Sequence, residues 1–302
     1  MKRTKRVLGL ALAAVMCMGL LAGCGGTPSN SDTADETSGT ETSEKVLNIA
    51  TIGETTTLSP LYMIADNRPT QKLLYEGLVK YVDGEIQPVL AEDWELSEDG
   101  TQLTFYLRQG VTFHDGEPFN AEAAIANIES WHINPSFASL PGVVNYTNIE
   151  AVDEYTIRLT YDTPYFAYIN DFCWPDVCTM ISPKLITQGD FQTVNGYAGT
   201  GPYVYDEYVA GQYTTFVRNE NYWGEQPYYD KIVAKYIPDN ASRVQALQTG
   251  EIDLIYGSAE LSYEDYNQAT AIEGIEGKFA PSGSTIRNII LNFNGNLADL
   301  SV

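Results

Sequence analysis

Basic residues are scarce in this chain of 302 residues, in which 17 Lys and Arg stand against 40 Asp and Glu and the formal net charge is −23. Such a chain repels phosphate backbones and anionic headgroups, which argues against nucleic-acid binding and against electrostatic attachment to a membrane. Histidine is scarcer still, because only His114 and His132 occur. A multi-histidine metal site is therefore not expected, and a Ser–His or Cys–His nucleophile would have to use one of these two residues.

A hydrophobic run long enough to span a membrane is missing as well. The apolar run at residues 7–22 is too short to span a membrane. It follows basic N-terminal residues, and this combination is typical of an export signal, here over residues 1–23. The tetrapeptide Leu21-Ala22-Gly23-Cys24 resembles the lipobox of bacterial lipoproteins. That resemblance implies cleavage before Cys24, lipidation of its sulfur and an anchor on the extracytoplasmic face of the cell membrane.

The segment after Cys24 has almost no large apolar side chain. Residues 25–44 are rich in Gly, Ser and Thr and carry five acids and no base. Such a segment buries too little surface to order itself, so residues 24–45 are expected to be the lipidated cysteine and a flexible acidic tether.

Cysteine is also rare in the remaining chain, where only Cys173 and Cys178 are left. An exported protein permits a disulfide between them, but the short spacing also suits two buried free thiols. No glycine-rich phosphate loop and no repeat of 20–50 residues is present. By contrast, 44% hydrophobic and 12% aromatic residues provide ample material for a core.

The hydrophobic pattern indicates a mixed α/β fold. Alternation at residues 47–51 predicts a first strand, and apolar residues at helical spacing predict a helix over 70–81. Asp83-Gly84 and Asp99-Gly100 are hairpin-type turns, the second followed by a strand around Phe105.

Further elements follow along the chain. Asn120 is a plausible N-cap for a helix with Ala121, Ala124, Ile125, Ile128 and Trp131 on its inner face. Residues 155–161 predict a strand and 203–218 a hairpin that turns at 210–212. Residues 232–256 predict a β-α-β unit whose helix is capped by Asn240, and 286–293 a last strand.

Two blocks of the sequence carry a more specific pattern. The first reads LAEDW (90–94), SEDG (97–100) and FYLRQGVTFHDGEPFNAE (105–122); the second reads GTGPY (199–203), RNENYWG (218–224), Pro238-Asp239, Arg243, Ala246-Leu247 and GEIDL (250–254). Together they resemble the signature of the family 5 bacterial solute-binding proteins. These are the extracytoplasmic receptors of ABC importers for oligopeptides, dipeptides and nickel chelates.

The resemblance implies a periplasmic-binding-protein-like fold of type II. The chain would contain the first lobe with an inserted α/β subdomain, and the second lobe would be absent. The expected boundaries are 46–78 and 196–284 for the two parts of the lobe, 79–195 for the inserted subdomain, and 285–302 for a crossover strand and the truncated start of the second lobe.

Ligand contacts are also implied by the resemblance. The sequence of residues 216–225 and 250–257 is closest to that of the nickel-binding branch. Most positions of that branch's ligand shell, however, hold different residues in this chain. The arginine that binds the chelator carboxylate in that branch aligns with Asp176. A carboxylate there would prefer a cationic group, such as a peptide amino terminus. The candidate ligand-binding residues are Tyr62, Arg68, Phe137, Trp174 and Asp176. No residue is predicted to bind a metal.

Several motifs have a structural explanation beside a functional one. His114, next to Asp115, suggests acid–base chemistry, but the family pattern makes it part of a turn. His132 fits a loop, a core position or a ligand contact. Residues 221–224 offer a stacking platform or pack a loop, and residues 199–202 form a tight turn or contact ligand.

The sequence therefore predicts a lipid-anchored receptor that captures di- or oligopeptides and delivers them to an ABC permease powered by partner ATPases, with no cofactor and no catalysis. A nickel or nickel-chelate receptor is the alternative within the same class. An exported hydrolase that uses two carboxylates, and a lipid-anchored sensor or adhesion module, are the alternatives from other classes.

Overall fold

The computed structural model describes residues 44–62, 68–174, 177–186, 196–258, 261–279 and 287–292. The predicted signal, Cys24 and nearly all of the predicted tether lie outside these residues. Within them, a seven-stranded sheet, a four-stranded sheet and a two-stranded hairpin are joined by helices on both sides of the larger sheet. No helix of this described part is both long and apolar enough to cross a membrane.

The larger sheet has the strand order β12-β13-β11-β1-β10-β9-β8. Its strands are β1 (Val46–Thr51), β8 (Tyr203–Val209), β9 (Tyr213–Arg218), β10 (Lys231–Tyr236), β11 (Leu254–Ser258), β12 (Ile275–Phe279) and β13 (Arg287–Asn292). β1 runs parallel to both of its neighbours, β10 and β11, and the outer pairs are antiparallel. The first strand, the hairpin that turns at 210–212 and the last strand are confirmed.

Both faces of this sheet are covered because its central strand is apolar on both. Ile49 of β1 packs with Leu74 of helix α1 (Arg68–Leu74) on one face. The next residue, Ala50, packs on the other face with α5 (Asn240–Gln248) and α6 (Tyr263–Thr270). Burial on both faces is typical of a central parallel strand.

Two predicted helix limits are wrong. The helix predicted over 70–81 ends at Leu74, because Gly77 leaves the helical path and forms a β-bridge with Thr179. Asn240 is not the N-cap of α5. The side chain of Asp239 accepts from the Ser242 amide at 2.8 Å and caps the helix, while Asn240 is its first residue.

The smaller sheet has the order β4-β5-β7-β6, formed by Ala91–Leu96, Gln102–Leu107, Thr156–Tyr161 and Tyr146–Asp153, all antiparallel. Helix α2 (Ala121–His132) covers one face and begins as predicted, with the Asn120 side chain accepting from the Ala123 amide at 3.0 Å. Phe105, Ile128 and Trp131 are buried in the core that they share.

Short elements complete the part of the described fold that contains the four-stranded sheet. We call this part the smaller half, and the part that contains the seven-stranded sheet the larger half. They are the hairpin strands β2 (Val79–Val82) and β3 (Glu85–Pro88), helices α3 (Pro141–Val144) and α4 (Tyr168–Phe172), and the 3₁₀ helices Pro135–Phe137 and Pro183–Leu185. The β2–β3 turn is the predicted Asp83-Gly84, where both residues adopt positive φ, 51° and 93°. These conformations match the type I′ turn that Asp-Gly favours.

Candidate functional site

The carboxyl ends of the parallel strands form the candidate site. The chain leaves β1 toward α1, on one face of the sheet, and leaves the adjacent β10 toward α5, on the other face. In open α/β sheets, ligands bind outside the carboxyl ends of two neighbouring strands whose connections diverge in this way. We therefore place the site at residues 52–62, called here the β1 loop, and the facing residues 237–240.

The β1 loop is held at its far end by both halves of the described fold. The Gln71 side chain of α1 donates to the Ser59 carbonyl at 2.8 Å, and the Asn134 side chain, beyond α2, donates to the Leu61 carbonyl at 2.9 Å. Ser59 and Leu61 are fully buried. The loop is thus a fixed surface rather than a free connection, and Tyr62 lies at its end.

Glu54 is a residue of this edge that the sequence reasoning missed. Its carboxylate accepts from the Tyr208 hydroxyl at 2.6 Å and from the Gly211 amide at 2.5 Å. These two hydrogen bonds lower the pKa of Glu54. They tie the β1 loop to the β8–β9 turn, so an anionic group lies at the carboxyl edge. Its position just beyond a predicted first strand was the available signal.

Tyr62 and Phe137 lie on segments that the structure brings together. Tyr62 is half-buried and directly follows Leu61, to which Asn134 donates. Phe137 follows Asn134 by one turn of 3₁₀ helix. The Phe137 ring itself is fully buried and stacks on Trp131 with 5.8 Å between ring centroids. The structure therefore places Phe137 in the core beneath the candidate surface, and only Tyr62 of this pair is open to solvent.

Trp174 follows α4 and is 45% exposed, which is unusual for an indole beside a core. Its neighbour Cys173 and the nearby Cys178 are buried free thiols, so the structure contains the second of the two arrangements that the sequence left open. Burial raises the pKa of Cys173 to about 11 and that of Cys178 further. Thiols of this kind are poor nucleophiles.

Two further candidates are outside what the structure describes in atomic detail. Asp176 lies outside the described residues. Arg68 is the first residue of α1, and only its backbone is described. The proposed ligand roles of Tyr62, Arg68, Trp174 and Asp176 stay predictions.

The two histidines have different surroundings. His114 Nε2 is 2.9 Å from the Gly201 carbonyl, and its Nδ1 accepts from the Gly199 amide at 3.2 Å. Both ring nitrogens are thus occupied by backbone, and burial lowers the pKa of His114. His132, exposed at the end of α2, packs on Tyr146 with ring centroids 4.6 Å apart. His114 is a structural residue of a turn, as its pattern indicates.

The remaining motif residues meet around a single carboxylate. Glu76 accepts hydrogen bonds from the Thr200 hydroxyl at 2.9 Å, the Tyr222 hydroxyl at 2.7 Å and the Trp223 indole at 2.7 Å. The guanidinium of Arg108 lies 4.4 Å from the centre of the Trp223 ring. Residues 199–202 and 221–224 therefore pack against the fold here, which is the structural one of their two explanations.

Direct metal coordination has no ready site in the described residues. No group of three or more His, Cys, Asp or Glu side chains there is placed to hold a metal ion. Among the described cysteines and histidines, which are the usual ligands of tightly bound transition metals, both thiols are buried, His114 is bonded to backbone, and His132 is a single exposed side chain.

Comparison with known proteins decides the family. Residues 85–302 match the family described as "Bacterial extracellular solute-binding proteins, family 5 Middle". The chain belongs to this family. Its α/β fold is accordingly that of the family 5 periplasmic binding proteins, as the sequence pattern predicted.

Individual relatives differ in what they bind. The nickel-binding periplasmic protein of Escherichia coli K12 is 37% identical over 209 residues, which are 68% of this chain and 40% of that protein. The structure of NikA from Brucella suis in complex with Fe(III)-EDTA superposes with a TM-score of 0.73 at 32% identity and covers 79% of this chain and 49% of that one. DppA from Helicobacter pylori in complex with the peptide STSA gives a TM-score of 0.68 at 26% identity over 78% and 50%. The chain thus spans about half the length of these proteins or less.

Proposed function

We propose that the chain is the first part of an extracytoplasmic receptor of an ABC importer, which captures di- and oligopeptides and delivers them to a permease. The observation that carries the proposal is the family match over residues 85–302, on a fold whose β1 loop is held firmly at a switch point of the sheet. Ligand would be enclosed between this lobe and a second one by hinge closure. ATPases would supply the energy for uptake.

The character of the candidate edge supports a peptide as the ligand. Glu54 provides a carboxylate at this edge, held by two neutral donors, and Trp174, which is exposed after α4, would add an aromatic face. An acidic edge favours a cationic group, and an aromatic surface accepts varied side chains. Asp176 would add a second carboxylate at the position where the nickel-chelate pocket has an arginine.

A nickel or nickel-chelate ligand is the second candidate. It is favoured by the 37% identity with the nickel-binding protein and by the superposition on NikA. A chelated metal needs no cluster of protein ligands, so the candidate is compatible with the described residues. The changed ligand shell and the charge reversal at Asp176 rank it below the peptide.

Catalysis is not part of the proposal. His114 has both ring nitrogens bonded to backbone, and burial raises the pKa of both thiols, so none of these groups is prepared for nucleophilic or acid–base work. The receptor would bind solute and release it unchanged, which separates it from the carboxylate-dependent hydrolase.

A thermal-shift panel on the natural full-length protein tests the ligand class. The panel contains dialanine, trialanine, a pentapeptide, NiCl₂, and NiCl₂ with histidine or EDTA. We expect at least one peptide to raise the melting temperature, because a ligand that binds only the folded state stabilises it. A shift with the nickel–chelator mixtures alone would support the second candidate. No shift in any well would contradict both.

We further propose that Cys24 carries the lipid that anchors the receptor. In the natural host, the wild-type protein should fractionate with membranes and its mass should exceed that of the cleaved chain by the mass of the attached lipid. The Cys24→Ala variant should be released from the membrane fraction, because a single acylated residue provides the attachment. A wild-type protein found only in the soluble fraction would contradict the anchor.

A further inference from the structure

One half-buried carboxylate outside the candidate site, that of Glu76, lies between the two halves of the described fold. Its donors come from two separate segments: Thr200 precedes β8, and Tyr222 and Trp223 follow β9. Arg108, at the end of β5 in the smaller sheet, covers the Trp223 ring. We call Glu76, Arg108, Thr200, Tyr222 and Trp223 the Glu76 junction. Partial burial raises the pKa of Glu76.

The Glu76 junction lies where the chain crosses between the halves. The chain leaves the larger sheet through residues 75–90, and the described residues 177–186 and 196–202 belong to the returning segment. The two crossings are bonded side by side, with the Met180 amide donating to the Glu76 carbonyl at 2.8 Å and the Gly201 amide donating to the Leu74 carbonyl at 2.9 Å. Any rotation of one half against the other must therefore strain the contacts of Glu76.

We propose that Glu76 is a positioning residue for ligand binding, which fixes the smaller half against the larger sheet and thereby holds the β1 loop in its binding position. The inference rests on the proposed function, because the β1 loop is the candidate ligand surface. Glu76 does not contact the ligand.

A short path leads from Glu76 to the β1 loop. Glu76 follows the last residue of α1 by two positions, and Gln71 of the same helix donates to the Ser59 carbonyl. From the other half, Asn134 donates to the Leu61 carbonyl. The loop is thus hydrogen-bonded to both halves, so a change in the angle between the halves must break a bond or distort the loop.

The donors also define which variants preserve the Glu76 junction. Oε2 accepts hydrogen bonds from both Thr200 and Trp223. Because an indole N–H can only donate, the atom at the position of Oε2 must remain an acceptor. Oε1 receives the Tyr222 hydroxyl, which can donate or accept. In Glu76→Gln, the amide oxygen can occupy the position of Oε2 and the amide nitrogen that of Oε1, so all three hydrogen bonds persist. Glu76→Ala removes all three and leaves the N–H of the half-buried Trp223 indole without its acceptor.

Amide hydrogen exchange on the unliganded chain tests the proposal without any ligand. In Glu76→Ala, we expect about tenfold faster exchange in residues 199–202 and also in the β1 loop, while β5 and β7 keep their wild-type protection. Glu76→Gln should restore wild-type rates in both segments. Glu98→Ala and Glu98→Gln, at an exposed glutamate of the β4–β5 turn, are the matched controls and should change neither segment.

The pattern of exchange decides the outcome. Faster exchange confined to residues 199–202, with the β1 loop unchanged, would overturn the proposal and leave Glu76 a purely local contact. If Glu76→Ala does not fold, Trp223→Phe removes one donor and keeps an aromatic ring below Arg108. It should speed exchange in both segments to a smaller degree, and a purely local effect would again be the contrary result.

A second experiment measures the affinity of the natural full-length protein for trialanine. The proposal expects Glu76→Ala to weaken trialanine binding about tenfold or more and Glu76→Gln to restore it. Equal affinity in Glu76→Ala and wild type would overturn the positioning role. If wild type itself fails to bind trialanine, the proposed function loses support, and the exchange pattern still decides whether Glu76 holds the loop.

Discussion

Gly199 shows how closely the two chain crossings approach each other. A Cβ atom at this position would lie 2.0 Å from the Leu74 carbonyl oxygen and 2.5 Å from the Tyr75 ring. Backbone cannot yield as a flexible side chain does, so Gly199→Ala must separate the crossings. We expect a loss of about 3 kcal/mol or more in the free energy of unfolding, measured by urea denaturation.

The control for this prediction is Gly196→Ala in the same segment. There the added Cβ would meet only the Leu185 side chain, at an ordinary 3.6 Å. Its stability should stay within about 0.5 kcal/mol of wild type. Equal stability of the two variants would show that the crossings are not in the described contact.

His114 makes a prediction about pH. Because burial lowers its pKa in the folded state, the unfolded chain binds the proton more tightly. The folded protein therefore loses stability as the pH falls below about 6.5, the ordinary histidine pKa, toward the lowered value. His114→Gln should lose less free energy of unfolding than wild type between pH 7.5 and pH 5.0, measured by urea denaturation at both values. His132→Gln, at the exposed histidine, is the control. An unchanged pH dependence in His114→Gln would refute the buried position.

At the scale of elements, the N-cap of α2 offers the clearest test. The Asn120 side chain accepts from the Ala123 amide, and that bond disappears in Asn120→Ala. We expect a loss of about 1 kcal/mol in the free energy of unfolding. Glu129→Ala, at an exposed position inside the same helix, should change stability by less than half of that. If both variants behave alike, the capping contact contributes nothing.

The elements also show what the sequence allows one to predict. β1, the Asp83-Gly84 turn and the start of α2 depend on local patterns, and all three were predicted within a residue or two. The end of α1 was predicted seven residues too late, because the bridge between Gly77 and Thr179 is a contact of residues far apart in the chain. Spacing along the sequence carries no trace of such a partner.

The candidate site also combines features that local sequence predicts with contacts between residues that are far apart in the chain. The family motifs indicate the fold, but His114, Thr200, Tyr222 and Trp223 serve the junction between the two halves rather than the ligand. The position of Glu54 after the first strand was the only local signal, and its contacts could not be predicted, because Tyr208 and Gly211 are more than 150 residues away in the chain. Phe137 was expected at the ligand, but its ring lies in the core.

At the scale of the whole molecule, we propose that the protein binds a peptide and does not transform it. Isothermal titration calorimetry of the natural full-length receptor with trialanine, followed by mass spectrometry of the recovered ligand, tests this directly. We expect saturable binding of one peptide per receptor and quantitative recovery of intact trialanine. Recovery of alanine or dialanine would show hydrolysis and contradict the receptor assignment. Absence of binding, with nickel–histidine binding under the same conditions, would contradict the peptide and leave the metal chelate as the ligand.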